Sequence, residues 1–333
     1  MSTPVVASCA PTARFADALR TPDSSSPALS QGPFAAPFVA PFVTPLVTRI
    51  APSPTGHFHL GTGRTAYFNW LAARASAGTF ILRIDDTDQA RNQADKLAVI
   101  YQAMDYLKLD FDHTFKQSDR LDRYAQVAAQ LLDQGRAVRK DGAVFLSCPL
   151  PADVVGFQDA AAGAVPLTAL DRDCIDKLVL LRSDGMPTYH FANVVDDMDH
   201  GVNLVLRGAD HICNTMRQVA LYHALGAPLP SYAHVGLLHA LDTGKKLSKS
   251  AGAPSILDYR DQGVDPDALC NFLLRLGWGP RVDDRSTTVI DRDRAKQLFL
   301  SGGRMRAAAS KVDFQMLTKL DRRYKALRDS RTA

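Results

Sequence analysis

The chain has 333 residues, a length that buries a large core and usually forms one large domain or two. Hydrophobic residues make up 46% of it, but no apolar run approaches a bilayer span, which argues against membrane insertion. The formal net charge of +4 is compatible with a polyanionic partner without requiring one. The cysteines stand singly, without a C-x-x-C pair, which argues against both a zinc knuckle and a disulfide framework.

Residues 1–46 are rich in Ser, Pro, Ala and Thr. Dense prolines break regular structure, so we predict a flexible tail here. Its few acids, together with Arg14 and Arg20, weakly resemble an organellar transit peptide, but no continuous apolar signal core is present. We therefore expect a cytoplasmic protein, with an organellar location as the alternative.

From residue 47 onward, short β-rich stretches alternate with helical ones. The pattern predicts strands at 47–52, 79–84, 143–148, 177–182, 203–206 and 232–236, and helices at 61–75, 93–107, 120–134 and 212–225. Such alternation is typical of a parallel sheet with helices on its faces. We predict an α/β fold with a split, doubly wound parallel sheet, an insertion at about 115–180, and ligand binding at the carboxyl ends of the strands.

Two widely separated segments indicate the chemistry. Residues 49–62 are the end of an apolar strand, a Pro/Gly turn and the start of a helix, an arrangement that presents backbone N–H groups to an anion. Residues 245–250 follow Gly244 and form a lysine-rich loop that can lay cations along a triphosphate. Either segment alone is usually a surface turn or loop, but in this order and at this distance the pair indicates the two halves of an ATP-activating site.

The two segments resemble the HIGH and KMSKS signatures of class I aminoacyl-tRNA synthetases. Residues 51–56, Ala-Pro-Ser-Pro-Thr-Gly, are similar to the glutamyl/glutaminyl branch of that family. Residues 83–88, residues 117–120 and a block from 183 to 211 are similar to further motifs of this branch, and the resemblance covers about residues 48–282. It implies a Rossmann-like catalytic domain over 47–282, including the insertion, followed by a basic helical region over 283–333.

The activity implied by this resemblance is ATP-dependent activation of L-glutamate to glutamyl adenylate, with transfer of the glutamyl group to tRNA. ATP and Mg²⁺ are the expected cofactors, with Mg²⁺ carried by the nucleotide and no zinc site expected. The catalytic residues implied by the motifs are His59, Lys246 and Lys249. The matching ATP-binding residues are Pro52, Gly61, Thr62, Leu247, Ser248 and Ser250.

Glutamate carries two carboxylates and one ammonium group, so its pocket needs cations and an anion. The planar guanidinium forks of Arg49 and Arg207 match the family positions that bind carboxylates. The remaining glutamate-binding residues implied by the resemblance are Ser53, Asp85, Arg91, Tyr189 and Asn193.

Three features depart from the family pattern. Asp85 stands where the family carries Glu, and the shorter side chain is expected to weaken glutamate binding. The insertion is shortened after residue 138. In the family this segment helps to bind the tRNA acceptor end, so binding of the acceptor stem is in doubt. Bacterial glutamyl relatives continue into a helical anticodon-binding domain, whereas the region after Asp291 resembles only a short, basic helical tail, which can contact RNA phosphates or form a solvated surface.

These departures leave alternatives open for the acceptor. A ligase that transfers glutamate to a small-molecule amine without tRNA is one, and a protein similar to glutamyl-Q tRNA(Asp) synthetase is another. A catalytically silent paralogue that binds nucleotide or a synthetase is an alternative of a different class. The retained His59, Lys246, Lys249, Arg49 and Arg207 favour an enzyme, and we expect a monomer.

Overall fold

The computed structural model describes residues 45–54, 58–88, 94–247, 254–280, 289–301 and 303–332. Nearly all of the predicted tail lies outside these residues. Leu46, at its end, is 1% exposed, and its backbone accepts a hydrogen bond from Thr79 N and donates one to Ser76 Oγ. Gly78 lies against Leu46, and a Cβ on Gly78 would stand 2.0 Å from the Leu46 carbonyl oxygen. Only glycine therefore allows this close approach of two backbones.

The first sheet is parallel and has the order β1-β2-β3. It contains β1 (Val47–Ile50), β2 (Thr79–Ile84) and β3 (His113–Lys116), connected by helices α1 (Leu60–Ala75) and α2 (Ala94–Tyr106). Phe80 and Leu82 of β2 pack in one core cluster with α1, whereas Ile81 packs in a second cluster. Successive residues of a strand point to opposite faces, so both faces of this sheet are buried, as the alternation predicted.

The middle of the chain adds antiparallel structure. Helix α3 (Leu121–Asp133) is followed by β4 (Ala137–Lys140) and β5 (Ala143–Leu146), which form a sheet with β8 (Val179–Leu181) in the order β4-β5-β8. A hairpin of β6 (Gly156–Asp159) and β7 (Gly163–Pro166) and helix α4 (Ala169–Asp176) lie between β5 and β8 in the chain. Strand β6 leaves this region and pairs with the second large sheet.

The second large sheet has the order β7-β6-β10-β9. Helix α5 (Tyr189–Asp199) precedes β9 (Leu204–Gly208), and helix α6 (Ile212–Leu225) connects β9 to β10 (Ser231–Val235) in parallel. The two large sheets meet where Asn203 N donates to the Val47 carbonyl oxygen at 3.1 Å and Val47 N donates to Asn203 Oδ1 at 2.8 Å. Asn69 of α1 also joins them, because it donates to Leu206 O and accepts from Thr48 Oγ1.

The last part of the chain contains helices and short strands. The elements are β11 (Leu238–Ala240), α7 (Ile256–Asp261), α8 (Pro266–Arg275), β12 (Trp278–Pro280), α9 (Arg292–Phe299), β13 (Gly303–Met305), β14 (Ser310–Val312) and α10 (Phe314–Thr332). Strand β14 pairs with β11 and β13 with β12, so strand pairs cross residue 282. The region after Asp291 thus contains the expected helices and two strands that the sequence pattern did not indicate. The domain division at 282 stays a prediction.

The elements predicted from the sequence are confirmed, with ends shifted by a few residues at most. The pattern did not reveal several other elements before residue 282, which are β3, β4, β6, β7, α4, α5, β11, α7, α8 and β12. Helix α5 buries Asn193, Asp196 and Asp197 beside its apolar residues, so its inward face is mixed and shows no clear apolar periodicity. No helix of the described residues is long and apolar enough to cross a membrane.

Candidate active site

An open cleft of about 700 Å³ lies at the carboxyl ends of β1, β2 and β9. Ala51, Pro52 and Ser53 follow β1, Asp85 follows β2, and Arg207 and Gly208 end β9. Parallel strands bring their carboxyl ends to one edge of the sheet, which explains why segments distant in the chain line one cleft.

The cleft gathers most of the residues that the motifs singled out. Those lining it are Arg49, Pro52, Ser53, His59, Gly61, Thr62, Asp85, Tyr189, Asn193, Arg207, Lys246 and Leu247. The remaining predicted residues, Arg91, Ser248, Lys249 and Ser250, lie outside the described residues.

His59 caps the N-terminus of α1. Its Nδ1 accepts a hydrogen bond from Thr62 N at 3.2 Å. Because Nδ1 accepts, the proton of a neutral ring resides on Nε2, which lies 3.3 Å from Thr62 Oγ1. A Cβ on Gly61 would stand 3.0 Å from atoms of the His59 ring, so a larger residue at 61 would press on this imidazole.

Lys246 also lines the cleft. Its Nζ is 3.1 Å from Asp210 Oδ2, and both side chains are about half exposed. Burial alone would raise the pKa of Asp210, but the neighbouring His211 and Lys246 lower it below its usual value. The backbone before the loop is anchored, since Leu247 N donates to Leu238 O at 2.8 Å and Ala240 N donates to Lys245 O at 2.9 Å.

Arg49 is oriented by a buried carboxylate. Its Nε and Nη2 donate to the two oxygens of Asp197 at 3.1 and 3.0 Å. Asp197 also accepts from Arg83 Nη1 at 2.8 Å. Burial alone would raise the pKa of Asp197, but the charges of Arg49 and Arg83 outweigh burial and lower it. Asp197 is therefore an anion that holds two guanidinium groups in place.

Asp85 is bonded to Arg83, the buried arginine that also bonds Asp197. Arg83 Nε donates to Asp85 Oδ1 at 2.6 Å, and Arg83 Nη2 donates to Asn193 Oδ1. Burial raises the pKa of Asp85, and the Arg83 charge opposes this shift. The carboxylate that the sequence assigned to the substrate ammonium thus lines the cleft while bonded to Arg83.

Arg207 lines the cleft and has one unused hydrogen-bond donor. Its Nε donates to His234 Nε2 at 3.0 Å and its Nη2 donates to Thr215 Oγ1 at 2.9 Å. Its Nη1 is buried and has no hydrogen-bond partner among the described residues. Burial lowers the pKa of Arg207, as expected for a cation removed from water. A buried guanidinium with an unused donor is a site for an anion.

Tyr189 and Asn193 project from the first turns of α5 beside this arginine. Tyr189 Oη lies 3.2 Å from His211 Nδ1, and Asn193 Nδ2 donates to Tyr189 O at 2.8 Å. Burial, followed by the charge of Arg207, lowers the pKa of His211 to about 4. His211 is therefore neutral near pH 7 and shares its Nδ1 edge with the tyrosine hydroxyl.

Several residues of the site were missed by the sequence reading. They are Arg83, Asp159, Asp197, His211 and His234. Arg83 is the first residue of the 83–88 motif, and Asp197 and His211 lie in the 183–211 block. Their positions in these motifs could have identified them as site residues. Asp159 and His234 carried no such signal, because their pairing depends on β6 lying beside β10.

Within the described residues, no group of three or more His, Cys or Asp side chains is arranged to hold a metal ion. Two carboxylates line the cleft, those of Asp85 and Asp210, and each is already paired with a cation.

A parallel α/β sheet with a cation-lined cleft at its strand ends defines a core of the doubly wound class, in which ligands bind at this edge of the sheet. The model of the class I tRNA synthetases (E and Q), catalytic domain, matches residues 45–143 and 140–311, and the chain belongs to this family.

Individual relatives agree with this membership. The chain is 46% identical over 230 residues to glutamate–tRNA ligase 2 of Neorickettsia sennetsu, covering 69% of this chain and 55% of the relative. It thus spans about half the length of that curated relative.

Solved structures are similar as well. A glutamate tRNA ligase from Elizabethkingia meningosepticum, in complex with its amino acid, is 25% identical with a TM-score of 0.72, over 85% of this chain and 70% of that one. The glutamate-tRNA synthetase from Elizabethkingia anophelis is also 25% identical with a TM-score of 0.72, over 84% and 70%.

Proposed function

We propose that the protein activates L-glutamate with ATP to form glutamyl adenylate and transfers the glutamyl group to tRNA. The observation that carries this proposal is Arg207, a buried guanidinium that lines the cleft and whose Nη1 has no hydrogen-bond partner among the described residues. A buried donor without an acceptor costs free energy, so the site is built for an anionic ligand. A substrate carboxylate supplies the missing acceptor.

The charges around the cleft suit glutamate. Arg207 offers a donor for one carboxylate, and Arg49, held by Asp197, adds positive charge on the same wall. Asp85 supplies negative charge for the ammonium group, in a position where burial and Arg83 act in opposite directions on its pKa. Tyr189 and Asn193 also line the cleft, and in this proposal they complete a pocket for the side chain.

The other half of the cleft suits ATP. The N-terminus of α1 offers backbone N–H groups and a favourable dipole to phosphates. His59 Nε2 can donate its proton to a phosphate oxygen, because Nδ1 is occupied by Thr62 N. Lys246 lines the same cleft and would lie along the triphosphate. Lys249, outside the described residues, is proposed to act with it.

The reaction is attack of the glutamate α-carboxylate on the α-phosphorus of ATP, with pyrophosphate as the leaving group. Negative charge develops on the phosphoryl oxygens, so positioning and electrostatic stabilisation by His59 and Lys246 supply most of the catalysis. Since Asp85 and Asp210 are already paired, we expect Mg²⁺ to enter with the nucleotide rather than on a protein carboxylate cage. The names of the relatives favour tRNA as the acceptor.

Amino-acid-dependent ATP–pyrophosphate exchange tests this proposal. Glutamate, glutamine and aspartate are each supplied with and without total tRNA, and we expect exchange with glutamate. Charging of tRNA with labelled glutamate then tests the acceptor. Absence of glutamate-dependent exchange under both conditions would overturn the proposed activity, and exchange without any charging of tRNA would overturn the proposed acceptor.

A matched pair of variants ties the activity to the cleft. Arg207→Lys keeps the positive charge but removes the planar guanidinium, which bonds His234 through Nε and Thr215 through Nη2 and leaves Nη1 for the substrate. We therefore expect the KM for glutamate to rise about 10- to 100-fold. Arg275→Lys is the control, because this half-buried arginine of α8 bonds Asn271 and does not line the cleft. An equal effect of both variants would contradict the assignment of Arg207 to the substrate.

A further inference from the structure

We propose that Asp159 and His234 are positioning residues that aim Arg207 at the substrate carboxylate. This inference rests on the proposed function, since it names what sets the specificity of the same site. The three side chains come from β6, β10 and β9, which are neighbours in the second sheet. Asp159 belongs to the β6–β7 hairpin, within the segment that the sequence identified as an insertion.

The hydrogen bonds assign one tautomer to His234. Its side chain is fully buried, with Nε2 3.0 Å from Arg207 Nε and Nδ1 2.5 Å from Asp159 Oδ2. An arginine Nε always donates, so His234 Nε2 must accept, and the ring proton must reside on Nδ1 and be donated to Asp159. Burial lowers the pKa of His234, and this keeps the ring neutral and its Nε2 lone pair available.

The Asp159 carboxylate is itself held by the backbone. Its Oδ1 accepts from Ala161 N at 2.9 Å and from Ala162 N at 2.8 Å, in the turn of the hairpin. His234 N lies 3.1 Å from both oxygens. These bonds orient Oδ2 towards the imidazole, so the hairpin determines which nitrogen of His234 carries the proton.

The orientation of Arg207 depends on these bonds. With Nε bonded to His234 and Nη2 bonded to Thr215, the guanidinium plane is fixed by two bonds. The remaining Nη1 has no partner in the part of the chain that the structure describes. The hairpin therefore acts on the substrate through His234 and Arg207, without touching the cleft itself.

Asp159→Asn is the first test, because it keeps the shape of the side chain at 159 and reverses the tautomer of His234. Oδ1 is needed by the two backbone N–H groups, so the new amide must place its NH₂ where Oδ2 stood. That NH₂ would donate to His234 Nδ1, move the ring proton to Nε2 and set it against the donor Arg207 Nε. We expect the KM for glutamate in pyrophosphate exchange to rise about 10- to 100-fold, the range of a lost bond to a charged group, with kcat changed much less.

Two substitutions of His234 form a matched pair. His234→Gln reaches far enough to accept from Arg207 Nε, whereas His234→Asn reaches only far enough to bond Asp159. We expect the KM of His234→Gln for glutamate to stay close to the wild-type value and the KM of His234→Asn to rise. Equal KM values for this pair would contradict positioning through Nε2. Tyr232→Phe is the control, since it removes a buried hydroxyl without a described partner from the same strand.

The ring proton of His234 is measured independently by long-range ¹H–¹⁵N correlation of the imidazole, without substrate. Nδ1–H in the wild type and Nε2–H in Asp159→Asn are expected. Nε2–H in the wild type would overturn the inference even if glutamate is activated. If the tautomers are as expected but no variant or wild-type protein exchanges pyrophosphate with glutamate, the proposed function fails while the assigned geometry stands.

Discussion

Nζ of Lys246 lies 3.1 Å from Oδ2 of Asp210, so the loop after β11 is joined to the segment that follows β9 by two residues that both line the cleft. Both side chains are about half exposed, and exposed ion pairs of this kind contribute less than about 1 kcal/mol. The pair can therefore hold the lysine at the cleft and still release it to the proposed triphosphate ligand at little cost.

The first prediction separates two neighbouring lysines of this loop. Lys246→Ala removes a cation from the cleft lining, and we expect kcat for pyrophosphate exchange to fall about 10- to 100-fold. Lys245 is exposed and does not line the cleft, so Lys245→Ala should change kcat by less than about threefold. Equal losses would indicate a general charge effect rather than a phosphate contact at 246.

The second prediction separates the capping role of His59 from its proposed catalytic role. Asparagine is a good N-cap residue and alanine is a poor one, so His59→Ala should lose about 1 kcal/mol in the free energy of unfolding and His59→Asn much less. Both variants lose the imidazole that faces the phosphate site, and both should lower kcat about 100-fold. Full activity of His59→Asn would restrict this histidine to capping.

The third prediction concerns the shortened carboxylate at Asp85. Asp85→Glu extends the side chain by one methylene, about 1.5 Å, and should lower the KM for glutamate several-fold if the anion meets the substrate ammonium. Asp85→Asn keeps the length and removes the charge, so it should raise that KM. An unchanged KM and an unchanged preference among glutamate, glutamine and aspartate in Asp85→Glu would show that this departure is neutral.

The fourth prediction concerns stability. Asp197→Asn leaves the buried Arg49 and Arg83 without their shared anion and should lower the free energy of unfolding by about 3–5 kcal/mol in urea. Asp184→Asn is the control, since its ion pair with Arg182 is more than half exposed and should contribute less than about 1 kcal/mol.

The same pair of proteins gives a pH dependence. The pKa of Asp197 is lower in the folded protein than the value of about 3.9 expected for an unfolded chain. Its stabilisation is therefore fully present above about pH 3.9 and is lost as the pH falls through the lowered folded-state pKa. The difference between wild type and Asp197→Asn should be constant near neutral pH and shrink in acid. A difference that grows in acid would contradict the ionised state of Asp197.

The sequence by itself determined the elements and segments whose signals are local. Strand β1, helix α1 and the Lys-rich loop follow from apolar periodicity, a Pro/Gly turn and residue types read over a few positions. The expectation that ligands bind at the strand ends follows from the alternation of strands and helices alone. The resemblance of the motifs to the synthetase family, rather than these signals, named most of the residues that the cleft brings together.

Only the tertiary structure decided how those residues are held. Asp197 bonds both Arg49 and Arg83, and Asp159 bonds His234, pairs that lie 148, 114 and 75 positions apart in the chain. No local pattern encodes such pairs, because they depend on which strands become neighbours in the sheet. Burial then determines the consequence, since only in a dry interior does an unpaired donor or a single proton on an imidazole carry a large free-energy cost.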